Sequence, residues 1–365
     1  MLPEGCGHAP MSLFDHPEFD QHESVLFGFD ADSGLRALIA VHSTRLGPSL
    51  GGCRMVPYPD DDAALTDVLR LSRGMSYKAA LAGLPQGGGK SVIIGDPRAH
   101  KSDTLMRAMG RLVERAAGRY IVAEDSGISV ADVVRMAEET RHVAGVPIPD
   151  SPIDGDPSPA TARGVWMALR AAWQRLHGRD DTGGELHGVG VAVQGCGKVG
   201  ARLVQYLVDA GARVWICDAH APTADACAAA TGAEIVAPEA IYDVPADIFA
   251  PCALGAVLNA GTIPRLHARL VVGAANNQLA TAEDDDRLRA AGVTYAPDYV
   301  VNAGGIIDIH YQRQPRYDPD AMQAHLARVP EVLLRILDAA AAEARGPAAV
   351  ADAMARDLIA AAPGH

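Results

Sequence analysis

The chain has 365 residues, 48% hydrophobic and 21% charged, with a formal net charge of −13. That length allows about two domains with ample core, and the acidic balance argues against a nucleic-acid partner and for a soluble protein that handles small molecules. No apolar run reaches the roughly 18 residues of a membrane span, and the opening MLPEGCGHAP has neither a basic start nor an apolar centre, so a cytoplasmic protein with no membrane partner is expected.

In chain order, VLFGFD and LRALIAVH flank the turn DADSG and predict a β-hairpin. Apolar Ala64, Leu65, Val68, Leu69 and Leu71 at helical spacing predict a helix from Asp62 to Met75. A second helix is expected from Ser102, a natural N-cap, to Ala117 before Gly118. GRYIVAED reads as a strand ending in two acids. SPIDGDPSP, Ser151 to Pro159, is dense in turn formers and predicts a hinge. Beyond it come a helix from Thr161 to His177 and then strand, glycine turn, helix and strand, the alternation of a parallel sheet. The tail from about Asp320 reads as helical and Ala-rich, interrupted at Pro330. The six cysteines are scattered, with no C-x-x-C pair and no zinc-like spacing, so they are expected to be small core residues and no metal is expected.

Two glycine-rich stretches compete for a nucleotide. GLPQGGGKS, Gly83 to Ser91, resembles a phosphate loop but places five residues, not four, before Gly-Lys-Ser, and no β-branched strand precedes it. It is read as a glycine-rich loop holding Lys90 rather than as an ATP site. VGVAVQGCGKVGARLVQYLVDAGARVWICDAH fits its context better. Gly195, Gly197 and Gly200 form G-x-G-x-x-G after an apolar strand and before an amphipathic helix, with Asp218 closing the next strand. Such glycines allow a tight turn, approach to a pyrophosphate and close helix packing, and the helix start, with Lys198 and Val199, favours phosphate. A carboxylate at Asp218 would accept from ribose hydroxyls and repel a 2′-phosphate, which favours NAD over NADP.

GGCRMVPYPDDDAALTDVLRLSRGMSYKAALAGLPQGGGKSVIIGDPR closely resembles the branched-chain and aromatic amino-acid dehydrogenases, relatives of glutamate dehydrogenase. The resemblance continues in order through GRYIVAEDSG, GDPSPATARGV, DIFAPCALG, GAANNQL and APDYVVNAGG. It implies an α/β chain with an N-terminal α/β substrate domain and a Rossmann dinucleotide-binding domain separated by a cleft. Residues 1–150 would bind substrate and oligomerise, 151–324 would bind NAD, and helices in 325–365 would pack back on the first domain.

The implied reaction converts an L-amino acid to a 2-oxo acid and ammonia. Lys78 matches the family's carboxylate-binding lysine, helped by backbone N–H groups of Gly51 and Gly52. Lys90 matches the catalytic lysine, and a lysine acting as base near neutral pH must lose about two or three pKa units, for which Lys78 could supply a second cation. Asp125 matches the carboxylate that exchanges protons with the substrate nitrogen. Asn277 is expected to contact cofactor and substrate, and Asn276, Thr161, Cys252 and Ala253 the cofactor, although Thr161 also suits a helix N-cap. Leu50, Met75, Ala123, Ile306 and Ile309 would line an uncharged side-chain pocket, pointing to leucine, valine or isoleucine. Asp308, His310 and Tyr311 depart from the family pattern and are expected to reshape the pocket or a subunit contact. A phenylalanine or tryptophan dehydrogenase and a catalytically silent NAD-binding sensor stay open as alternatives. A homo-oligomer is implied.

Overall fold

The computed structural model describes residues 13–147, 153–178, 186–253 and 255–363. Contacts divide the chain into two units.

The first unit is a five-stranded mixed sheet between helices. Its elements are β1 (Ser24–Asp30), β2 (Leu35–Ser43), β3 (Ser49–Val56), α1 (Asp61–Leu81), β4 (Gly87–Ile94), α2 (Asp103–Arg115), β5 (Tyr120–Ala123) and α3 (Val130–Met136). The strand order is β1-β2-β4-β3-β5, with β3 parallel to both neighbours and the other pairs antiparallel. The hairpin forms as its Asp/Gly turn predicts, with Asp30 opposite Leu35 and Gly34 in the left-handed region. Strand β2 is buried on both faces, and its alternation divides the core. Leu35, Ala37, Ile39 and Val41 meet Leu105, Met109 and Leu112 of α2, whereas Leu38 and Ala40 meet Val68 and Leu69 of α1. Ser102 caps α2 by accepting the Leu105 N–H.

The glycine-rich stretch around Lys90 is not a loop. Gly87, Gly88 and Gly89 open β4, a central strand. Strands ordinarily disfavour glycine, but here each glycine meets a close neighbour. A Cβ on Gly88 would collide with the Ser76 backbone of α1, and one on Gly89 would lie 2.7 Å from both Ser49 Oγ and the Tyr120 ring.

The second unit begins at Pro147 and also takes in Tyr77–Leu84. Its elements are α4 (Ser158–His177), β6 (Gly190–Gln194), α5 (Lys198–Asp209), β7 (Arg213–Cys217), α6 (Ala221–Thr231), β8 (Glu234–Ile235), β9 (Ile248–Pro251), β10 (Leu270–Val271), α7 (Glu283–Ala290), β11 (Thr294–Tyr295), α8 (Asp298–Val301), α9 (Gly304–Gln312), α10 (Pro319–Leu326), α11 (Val329–Glu343) and α12 (Pro347–Ala361). Its six strands are all parallel in the order β11-β10-β9-β6-β7-β8. Counted from β6 this is 3-2-1-4-5-6, the doubly wound order whose switch point lies between β6 and β9. No described helix is long and apolar enough to cross a membrane.

Of the residues expected to pack back on the first domain, those through Ala361 group with the second unit. Arg175 of α4 pairs with Asp338 of α11 at 2.8 Å, and Asp285 of α7 accepts the Ala348 and Ala349 N–H groups at the start of α12. Pro330 begins α11 rather than breaking it, since a first-turn proline forfeits no helical hydrogen bond. The expected hinge is partly outside the described residues at Ser151 and Pro152, and the division itself falls between Val146 and Pro147.

Candidate functional site

In the first unit β4 presents Lys90, and the residue after Glu124 at the end of β5 is Asp125. The two side chains form an ion pair and are 6% and 15% exposed. Arg54 on β3 approaches the same carboxylate oxygen at 3.5 Å, and Asp67 steadies Arg54 through two contacts of 3.0 and 3.2 Å. Tyr58 donates to Asp67 at 2.6 Å. Burial pushes the Asp125 carboxyl upward, but the Lys90 ammonium and the Arg54 guanidinium outweigh it and hold the group down at about 2. Asp125 is therefore a carboxylate at neutral pH.

Gly51 and Gly52 on β3 stand beside this pair. A Cβ on Gly52 would lie 2.7 Å from Asp125 Cβ, and one on Gly51 would strike the Gly89 carbonyl. Tyr120, fully buried on β5, donates to the Gly51 carbonyl at 2.8 Å, and Ser91 Oγ lies 3.0 Å from the same hydroxyl. Leu50 and Ala123 are buried next to these glycines, and half-buried Met75 reaches to 3.4 Å from the position a Gly51 Cβ would take. Gly51, Gly52, Lys90 and Asp125 are thus brought together. Sequence reasoning missed Arg54 and Tyr120, although both lie in the quoted blocks GGCR and GRYIVAED.

Lys78, in the segment that groups with the second unit, donates to Asn276 Oδ1 at 3.3 Å. Asn302 Nδ2 reaches the same oxygen at 2.9 Å and the Ala274 carbonyl at 3.0 Å. Asn277 is held in the left-handed region at φ 53°, with its carbonyl accepting from Ala256 N–H at 2.7 Å. Asp298 is buried and accepts the Gln278 and Tyr299 N–H groups. Burial raises its carboxyl, opposed by the Gln278 N–H and the Lys78 charge. Asn302 and Asp298 are further residues that sequence reasoning left unassigned within APDYVVNAGG.

Thr161 is not the N-cap. It sits one turn inside α4, where its hydroxyl donates to the Pro157 carbonyl at 2.9 Å. Gly304 and Gly305 let α9 close on it, because a Cβ on Gly305 would lie 2.7 Å from Thr161 Oγ1. Ile306 and Ile309 are buried, one turn apart on α9. Asp308 accepts from Gln312 Nε2 at 2.9 Å and from the Tyr317 hydroxyl at 3.0 Å. Its two oxygens are thereby engaged within α9 and the segment that follows, and Tyr311 turns to His325.

At the switch point the three glycines do three separate jobs. Gly195 has φ 104° and comes so close to Ala253 that a Cβ would be 2.6 Å from the alanine's own. A Cβ on Gly200 would strike the Gly195 carbonyl, so only glycine lets α5 pack down on the turn. Gly197 faces open space and is the N-cap of α5, which has no side-chain cap. The first-turn N–H groups of Lys198, Val199 and Gly200 therefore sit over a cradle that a side chain would fill, as a pyrophosphate site requires. Cys252 N–H donates to Gln194 across β9 and β6. Asp218 follows β7 and accepts Cys196 N–H at 2.8 Å, which places its carboxylate at the mouth of the turn.

The doubly wound parallel order with a glycine turn at its switch point is the fold of dinucleotide-binding domains, and the same chain carries a buried lysine–carboxylate pair on an α/β unit. A family profile for the Glu/Leu/Phe/Val dehydrogenase dimerisation domain matches residues 21–142, and one for Glutamate/Leucine/Phenylalanine/Valine dehydrogenase matches residues 219–312. The chain is 47% identical over 299 residues to leucine dehydrogenase of Thermoactinomyces intermedius, spanning 82% of this chain and 80% of that protein. It is 42% identical over 335 residues to L-tryptophan dehydrogenase of Nostoc punctiforme, spanning 90% and 91%. The crystal structure of L-tryptophan dehydrogenase from Nostoc punctiforme aligns with a TM-score of 0.77 at 38% identity, covering 93% of this chain and 96% of that one. The chain belongs to the Glu/Leu/Phe/Val dehydrogenase family of amino-acid dehydrogenases.

Proposed function

We propose that this chain is an NAD-dependent dehydrogenase of branched-chain L-amino acids, converting leucine, valine or isoleucine reversibly to the 2-oxo acid and ammonia. The observation that carries the reading is the Lys90–Asp125 pair set directly beside Gly51 and Gly52. Bound NAD supplies the hydride acceptor. Lys78 and the N–H groups of Gly51 and Gly52 hold the substrate carboxylate. Lys90 activates the water that adds at Cα, and Asp125, already a carboxylate, takes and returns the proton of the substrate nitrogen. Asn276, Asn277, Thr161, Cys252 and Ala253 serve the cofactor, with Asn277 also reaching the substrate. Asp218 supports NAD over NADP, because a 2′-phosphate would face its charge.

The residues that match the family's side-chain pocket, Leu50, Met75, Ala123, Ile306 and Ile309, are all uncharged, which favours an aliphatic side chain, as does the identity with leucine dehydrogenases. The greater coverage by the tryptophan enzyme supports an aromatic substrate as the second reading. In domain terms, the first unit binds substrate and forms the oligomer, and the second binds NAD. NADH consumption with ammonia and a panel of 2-oxo acids separates the readings. Turnover of 4-methyl-2-oxopentanoate and 3-methyl-2-oxobutanoate is expected; if both are inert while phenylpyruvate reacts, the aromatic reading replaces this one.

A further inference from the structure

Beside the glycine turn lies an open cavity of about 520 Å³ in the second unit, bordered by Cys196, His220, Thr223, Cys227 and Thr231. Two of its walls are thiols from different elements. Cys196 is the residue between Gly195 and Gly197, and Cys227 lies on α6. The Cys196 thiol donates to the Cys217 carbonyl at 3.7 Å, and it borders the cavity together with the Cys227 thiol, near enough that each shifts the titration of the other. Contact between the two thiols favours a thiolate on one sulfur and a retained proton on the other, against the upward push of burial. The pair thus places two thiols from different elements on one open cavity, with one sulfur eased toward its thiolate by the other. The proposed dehydrogenase chemistry uses neither. Cys53, by contrast, is sealed in the core of the first unit, where burial drives its thiol up to about 12.

We propose that Cys196 and Cys227 form a peroxide-sensitive dithiol whose oxidation to a disulfide disables the dinucleotide cradle. The inference rests on the reading of the second unit as the cofactor domain. In the first step the Cys227 thiolate attacks one oxygen of hydrogen peroxide, the O–O bond breaks and hydroxide leaves, giving a sulfenic acid. The Cys196 thiol then attacks that sulfur, the S–S bond forms, and the sulfenic hydroxyl departs with the Cys196 proton as water. Hydroxide takes up the proton released by Cys227, so two thiols lose two electrons and one peroxide becomes two waters. The disulfide fastens the glycine turn to α6 across the cavity. It also strains the Cys196 N–H bond to Asp218, and so disturbs both the phosphate turn and the carboxylate meant for the ribose.

The test uses the full chain, treated with hydrogen peroxide and then with dithiothreitol, alongside Cys227→Ser. Peptide mapping reads the cross-link, and NADH fluorescence titration reads affinity before and after treatment within each variant. The expected result is a Cys196–Cys227 cross-linked peptide and a loss of about tenfold or more in NADH affinity, restored by the reductant and absent in Cys227→Ser. Three results would overturn the proposal: no such peptide, a cross-link that leaves NADH affinity unchanged, or an equal loss in Cys227→Ser. Failure of the untreated protein to bind NADH would instead sink the cofactor reading, and the cross-linked peptide would still report the thiol chemistry.

Discussion

At Asp125, two cations and a burial penalty act on one carboxylate, and the cations win. The sign of its linkage follows. Its folded pKa of about 2 lies below the ordinary 3.8, so the stability it contributes is complete above the ordinary value and is lost as pH falls toward 2. The amount is about 2 kcal/mol. Asp125→Asn should therefore be less stable than wild type at pH 7 by an amount of that order, and urea midpoints should converge near pH 2. A gap that persists unchanged at low pH would remove Lys90 and Arg54 as its cause. The residues of this centre were unevenly legible. Lys90, Asp125, Gly51 and Gly52 sit in ordered blocks with a chemical reason for each. Arg54 and Tyr120 act on those residues rather than on substrate, and their partners are distant in sequence: Asp67, Asp125 and Ser91. A pattern of residue types along the chain carries no sign of such pairings.

At the level of elements, β4 shows why local propensity misleads. Three consecutive glycines argue for a loop, yet they occupy a central strand because α1 and Tyr120 approach closer than any side chain allows. Gly88→Ala should destabilise the protein by about 3 kcal/mol or more through collision with the Ser76 backbone, measured by urea unfolding. A neutral result would mean that α1 can move aside. The hairpin, α2 and the glycine turn were legible, because each announces itself within a dozen residues. The docking of the tail was not, since it depends on Asp285, a buried acid whose role appears only once α7 and α12 are adjacent. Burial, with Asp286 and Asp352 nearby, pushes Asp285 up to about 6 despite the N–H groups of Ala348 and Ala349. This shift has the opposite sign: stability falls as pH rises from below 3.8 through 6, by about 3 kcal/mol. Asp285→Asn keeps an acceptor for both N–H groups without the charge. Its melting temperature should exceed that of wild type at pH 8 and approach it at pH 4; a lower value at pH 8 would contradict the assigned cause.

For the whole molecule, the edge of the first sheet matters most. β1 is an outer strand with no further strand beside it among the described residues, and Phe27 and Phe29 are 68% and 74% exposed on one face of it. Bare apolar edges invite pairing with another chain, and the matched dimerisation profile covers this strand. Replacing both phenylalanines by lysine should shift the assembly to smaller species in light scattering at equal concentration, with the monomer fold retained. An unchanged mass would place the contact elsewhere. The sheet order of the second unit was legible only as a class. Alternating elements imply a parallel sheet, whereas the 3-2-1-4-5-6 order requires knowing which strands pair.

The central claim is that Lys90, paired with Asp125, performs the chemistry on an amino acid. The most direct measurement compares wild type and Lys90→Ala in NADH consumption with ammonia and 4-methyl-2-oxopentanoate, alongside NADH titration of both. Wild type should turn over, and Lys90→Ala should lose about a thousandfold or more in kcat while NADH affinity stays within about twofold. A Lys90→Ala protein that retains substantial turnover would contradict the claim, as would a wild type that binds NADH but is inert with every 2-oxo acid.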